Sequence, residues 1–163
     1  MAGFDVNQVK GNDRFIAGGA VLVLIVSFFP WYSFSYSGVG LGGLGDYSRN
    51  GWHIYGWCKV GILLALLAGA FVIARLAGAL DSVQLPAGVN LITLALSGLA
   101  SLILLLRFVT AFKSVGPISA HPSIGWYLAL AASLAMTYFA FLNFKASGEE
   151  LPNKPSSPPP AAP

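Results

Sequence analysis

Acidic side chains are scarce in this chain and missing from its apolar runs. Asp5, Asp13, Asp46, Asp81, Glu149 and Glu150 are the only six carboxylates among 163 residues, and each falls between or beyond the long apolar stretches. Proton relays and cation pathways across a membrane are usually built on an intramembrane acid, so a coupled transporter is disfavoured. Cysteine is almost missing as well. Cys58 stands alone, which excludes an internal disulfide and a disulfide framework. Histidine is limited to His53 and His121; both lie outside the apolar runs, whereas a haem-bearing bundle carries its axial ligands within facing helices. Charge of either sign is low, 9% of residues against about 25% in an ordinary soluble domain. The net charge of +3 is too small and too scattered for a nucleic-acid patch, so no nucleic acid is expected. Basic residues beside apolar runs suit contact with anionic lipid headgroups instead.

What the chain has in abundance is hydrocarbon. Four apolar runs, roughly 15–34, 57–76, 87–108 and 124–144, are each close to the ~20 residues that a helix needs to cross about 30 Å of bilayer core. They lack the alternation of barrel strands, and backbone polar groups in lipid must be paired within the segment, so the runs read as helices. The expected fold is an all-α integral membrane protein, a four-helix up-down-up-down bundle joined by short links near 77–86 and 111–123. Its expected organisation is an N-terminal segment 1–13, a membrane domain 14–145 and a tail 146–163. That tail has proline at 152, 155, 158, 159, 160 and 163, which reads as extended or disordered chain. The longest link, 35–56, is rich in glycine and reads as an irregular loop. Lys10 and Arg14 before the first run resemble the start of a secretory signal. The run is longer than a signal core and ends in Pro30-Trp31-Tyr32, an interfacial pattern, so an uncleaved anchor is expected.

Four crossings place all four tryptophans, Trp31, Trp52, Trp57 and Trp126, on one side of the bilayer as an aromatic belt. Both termini then share the other side. Lys10, Arg14, Arg75, Lys145 and Lys154 lie with the termini, against Arg49, Lys59, Arg107 and Lys113 opposite; with Arg107 discounted as part of a span, the positive-inside rule favours cytoplasmic termini. Arg75 and Arg107 sit near span ends, where snorkelling to headgroups satisfies them.

Motif spellings add little chemistry. Gly38-Val39-Gly40-Leu41-Gly42-Gly43 has the dinucleotide-loop spacing without the flanking strand and helix that would hold pyrophosphate. His53, Cys58, His121 and Asp46 share one side but not a diagnostic spacing, so neither a metal nor another cofactor is expected. Hydroxyls at Ser27, Thr93, Ser97, Ser101, Ser133 and Thr137 are expected to bond within or between helices. Gly61, Ala65 and Gly69 form a small-residue stripe for close helix packing; Ala70, Ala74 and Gly78 form a second. Arg49, Trp52, His53, Tyr55, Trp57, Arg107, His121 and Trp126 are the candidates for contact with a partner or lipid, since they join amphipathic rings to polar handles.

Arg14-Phe15-Ile16-Ala17-Gly18-Gly19 entering a span that ends Phe28-Phe29-Pro30-Trp31-Tyr32-Ser33, then a glycine-rich loop and three further spans, resembles small four-span membrane proteins of actinobacteria. The resemblance implies a bacterial cell membrane and carries no functional residues with it. Taken together, these features lead us to expect a non-catalytic accessory or scaffold subunit of a cell-envelope complex, in contact with membrane lipids and with a membrane-protein partner or further copies of itself. A lipid- or quinone-binding module and a small transporter or channel are the alternatives.

Overall fold

The structure, a computed structural model, describes residues 6–36, 47–53, 56–80, 88–110 and 118–149. In chain order these form α1 (Val6–Ser27), β1 (Pro30–Tyr36), β2 (Tyr47–Asn50), α2 (Gly56–Leu76), α3 (Val89–Thr110), β3 (Ile118–Pro122) and α4 (Ile124–Ser147). Three of the helices, α2, α3 and α4, are long and apolar enough to cross a membrane. In α1 the first half carries Lys10, Asp13 and Arg14, and the apolar half follows.

Helices α1, α2 and α4 stop where the sequence withdraws support. At the end of α2, Gly78 adopts φ 73°, its N–H bonds the carbonyl of Arg75, and the N–H of Ala79 reaches back to Ala74. These two bonds close a left-handed glycine cap that takes up orphan carbonyls. Gly78 is therefore the terminator of α2 rather than part of a second packing stripe. Gly148, at φ 65°, plays the same part after α4. Helix α1 ends at Ser27 because Pro30 cannot continue it. The expected run to residue 34 is thus corrected: its last part is strand.

The helices pack as a ring in chain order, α1 against α2 and α4, and α3 against α2 and α4. Their direction alternates. The start of α1 (Asp13), the end of α2 (Arg75), the start of α3 (Asn90) and the end of α4 (Asn143) meet at one end, while Phe108 near the end of α3 meets Trp126 near the start of α4 at the other. Small residues bring the backbones together. A Cβ on Gly69 would overlap Ala20 of α1, one on Gly19 would lie 2.5 Å from Met136 of α4, and one on Gly61 would lie 3.1 Å from Leu104 of α3. With Ala65 also buried, the stripe of α2 faces inward along its whole length and serves both neighbours. Hydroxyls behave as expected: Thr93 and Ser97 bond their own helix, and Ser101 meets Thr137 across α3 and α4 at 2.9 Å. Leu63, Leu67, Leu102, Leu105, Leu134 and Phe141 point outward, the arrangement of a bundle surrounded by lipid.

The all-α expectation is corrected by a three-stranded antiparallel sheet in the order β2-β1-β3. It occupies both flanks of the segment read as an irregular loop and part of the link read at 111–123. Phe34 pairs with Tyr47 on one side and Ala120 on the other. Residues 37–46, Tyr55 and the tail from 150 lie outside the described residues.

Candidate functional sites at the two ends of the bundle

The sheet sits on the bundle through β1. An irregularity in the β1–β2 pairing between Pro30 and Tyr32 comes with a plug of rings: the neighbours Trp31 and Tyr32 are both buried. Trp126 of α4 stands edge-on to each, at centroid distances of 5.2 and 4.7 Å, and Phe108 of α3 joins at 6.4 Å. Edge-to-face packing matches the positive rim of one ring to the negative face of another. Trp31 Nε1 donates to the carbonyl of Val26 at 2.8 Å, fixing the ring over the end of α1. Ser123 N–H donates to the carbonyl of Trp31 at 2.8 Å, and Ser33 and Ser123 share a hydroxyl bond of 2.6 Å. Gly125 is required here, because a Cβ would fall 2.6 Å from the Pro30 carbonyl and from the Trp31 ring.

This geometry sorts the contact residues proposed from the sequence. Trp126, 1% exposed, is core and offers no surface to a partner. Trp57 is outward-facing at the start of α2, and Arg107 is half-buried in the last turn of α3. His121 lies exposed on β3 opposite Ser33. Arg49, Trp52 and His53 do come together. Trp52 Nε1 donates to Ser27 Oγ at 2.7 Å, which in turn donates to Leu24 O at 2.6 Å, so the ring is tied to the end of α1. Asn50 Oδ1 accepts from the backbone N–H of Trp52 and of His53, each at 3.2 Å. The same oxygen lies 2.8 Å from His53 Nδ1. A carbonyl oxygen only accepts, so Nδ1 carries the proton and Nε2 is the ring nitrogen left for a ligand. Arg49 Nη1 donates to His53 O at 3.4 Å. Ser48, Arg49, Asn50 and His53 line a cavity of about 210 Å³, a polar recess with a guanidinium and an imidazole in its wall. Cys58 is fully buried and His53 is exposed; among the described residues, which leave out Asp46, no three of His, Cys, Asp and Glu gather.

The opposite end holds a cluster that the sequence did not disclose. Asp13, 1% exposed, forms an ion pair with Arg75, whose Nε donates to Asp13 Oδ2 at 3.0 Å and whose Nη2 donates to Oδ1. Arg75 is therefore paired rather than snorkelling alone, and Asp13 is a buried acid within a helix rather than a residue of the preceding segment. Asn143 Nδ2 donates to Asp13 Oδ1 at 2.7 Å. Arg75 Nη1 donates to Asn90 Oδ1, and Asn90 Nδ2 donates to Glu149 Oε1 at 2.8 Å. Every helix contributes a member. The available signal was a pair of asparagines, Asn90 and Asn143, at the polar ends of apolar helices, but only the folded ring brings residues 62 and 130 positions apart into contact.

No family model matches the chain, and no curated protein matches it.

Proposed function

We propose that this chain is a non-catalytic, four-span accessory or scaffold subunit of a larger cell-envelope complex, with both termini on the cytoplasmic side. The fourth span is α1: its outward residues from Phe15 onward, among them Val21, Leu22, Leu24 and Ile25, are as exposed and apolar as those of its neighbours. A helix packed in a ring between two membrane-crossing helices crosses with them. The observation that carries the reading is the filled interior. Gly19 and Gly69 lie against neighbouring helices with no room for a Cβ, Gly61 lies tight against Leu104, and close-packed helices leave their shared core to side chains rather than a pathway. The charged side chains inside, Asp13 and Arg75, are engaged with each other, so recognition falls to the sheet-capped end, with Arg49, Trp52, Trp57 and His121. Gentle extraction from the native membrane, followed by mass spectrometry of protein and lipid together, tests this: a stoichiometric protein companion is expected, and a homogeneous chain that carries none defeats the proposal.

One observation favours a second reading, a lipid-headgroup module. The recess of Ser48, Arg49, Asn50 and His53 offers a guanidinium, an imidazole nitrogen and a hydroxyl, donors of the kind that hold a phosphate, beside the half-buried ring of Trp52. A defined lipid that stays through extraction and is lost on Arg49→Gln would move the reading to this module.

A further inference from the structure

We propose that Gly148 and Glu149 form a releasable strap that fastens the C-terminal end of α4 to the start of α3, and that its release is transmitted through Asn90 to the Asp13–Arg75 pair. Helix α4 stops at Ser147, and Gly148 turns the chain with φ 65°, so Glu149 lies beyond the helical hydrogen-bond ladder. Its backbone N–H is held only by Ser147 Oγ, at 3.3 Å, among the described residues. Its carboxylate does the fastening. Oε2 accepts from the Leu91 N–H at 3.0 Å, while Oε1 accepts from Asn90 N–H at 3.4 Å and from Asn90 Nδ2 at 2.8 Å. The two backbone donors are first-turn amides of α3 that no carbonyl of that helix can satisfy, at the positive end of its dipole. Gly88 supplies the room, since a Cβ there would overlap the carboxylate. Gly88 and Gly148 are both exposed, so one acidic side chain beyond the helix closes the junction at the surface of the bundle.

Asn90 is the transmitting element because its amide is shared. Nδ2 holds Glu149 and Oδ1 accepts from Arg75 Nη1; the group is planar, so a rotation that follows a departing Glu149 carries Oδ1 away from Arg75. Deeper in, Asn143 donates to Asp13 while its own Oδ1, buried, meets no donor among the described residues. An acceptor is therefore left inside the cluster for a guanidinium N–H that loses Asn90, which gives the network a second arrangement to adopt.

Hydrogen exchange on the full chain in zwitterionic lipid nanodiscs tests the strap, with two variants that open it by different means. Glu149→Gln removes the charge and keeps the shape; Gly88→Ala keeps every charge and pushes the carboxylate off. Both are expected to raise exchange at the Asn90 and Leu91 amides by about tenfold, leave Ser97–Leu104 at the centre of α3 unchanged, and shift the Arg75 Nε resonance. Exchange at Asn90 and Leu91 that stays at the wild-type rate in both variants overturns the strap, and an unmoved Arg75 Nε signal overturns the transmission. Exchange that rises equally along the whole of α3 also overturns it, because Glu149 would then be a part of the bundle's global stability rather than a releasable contact.

Discussion

At the end where α1 begins, Asp13, Arg75, Asn90, Asn143 and Glu149 meet through charge and amide hydrogen bonds. At the end where α1 stops, Trp31, Tyr32, Phe108 and Trp126 meet through ring edges and faces. The same four helices are gathered in both places, and no hydrophobic force draws helices together where lipid is as apolar as leucine. What differs is how each end depends on its parts. Ion pairs and amides are matched in pairs, so their removal matters through what is left unpaired; rings fill volume, so their removal matters through the space left behind. The polar end is therefore the one that can change its arrangement, and the aromatic end is the fixed reference for the bundle.

The sharpest way to break this comparison is Trp31→Ala. The ring is fully buried and its Nε1 holds the last turn of α1, so truncation leaves a cavity and takes one of two donors from the Val26 carbonyl, which keeps the Phe29 N–H at 3.0 Å. The expected loss is toward the upper end of the ~3–5 kcal/mol typical of buried large aromatics, read as a lowered midpoint of thermal unfolding in detergent. No single compensating change should restore it, because the ring meets Trp126, Gly51 and Gly125 at once.

Arg75→Ala should come next, at about 3 kcal/mol or somewhat more, since it strands the buried Asp13 carboxylate. Here a partner change does restore some stability. Asp13→Leu combined with Arg75→Met removes both charges, and the double variant is expected to recover part of the loss, because a buried pair replaced by apolar residues of similar size is often neutral, and to stop short of the parent because Asn143 Nδ2 and Asn90 Oδ1 lose their partners. A double variant as unstable as Arg75→Ala would show that the two ends do not differ in kind.

The contrast between the ends also explains what was legible beforehand. Spans at 57–76, 87–108 and 124–144 fall close to α2, α3 and α4, because continuous leucine and alanine leave few other ways to pair a backbone in lipid. The first run misled by composition: Phe28 to Phe34 is apolar, but Pro30 stops the helix and the aromatic–serine alternation that follows is a strand pattern. Tyr32-Ser33-Phe34-Ser35-Tyr36 carries that period-two signal within a stretch whose total hydrophobicity reads as a span. Starting the first span at Phe15 had a second effect, since it put Asp13 outside the bundle and hid a buried acid. The site residues divide in the same way. Arg49, Trp52 and His53 are near in sequence and prove near in space, whereas Trp126 looked like an interfacial ring because sequence alone does not say which side of α4 meets β1. Nothing local connects Asp13 to Asn143; that contact exists only once the ring of helices closes.

Between the ends, Gly69→Leu probes the close approach of α1 and α2 that lets both clusters form. A side chain there runs into Ala20, and overpacking of this sort costs about 1–3 kcal/mol. Leu63→Ile, on the outward face of the same helix, is expected to shift the midpoint hardly at all. Equal midpoints for the two variants would mean that α1 and α2 separate without loss, and the two ends would then be held independently.

The smallest perturbation of stability gives the orientation of the two ends. Cys58 is fully buried, so the native thiol is a poor reporter of sidedness, and an impermeant maleimide on intact cells should leave it unmodified. Replacing Cys58 with serine clears the background, and a cysteine introduced at Ser48, exposed on β2, or at Ser156 in the proline-rich tail then reports one end each. The change at Ser48, an exposed position, alters stability by less than about 0.5 kcal/mol, and the Cys58→Ser chain without a second change is the reference for both labelled variants. With cytoplasmic termini, Ser48→Cys is modified on intact cells and Ser156→Cys only after permeabilisation. The reverse pattern would turn the bundle over and put the polar cluster, with its strap, on the outer face. Modification of both on intact cells would place residues 48 and 156 on one side, which the three helices between them, α2, α3 and α4, forbid if each crosses, and would mean that one of these three does not.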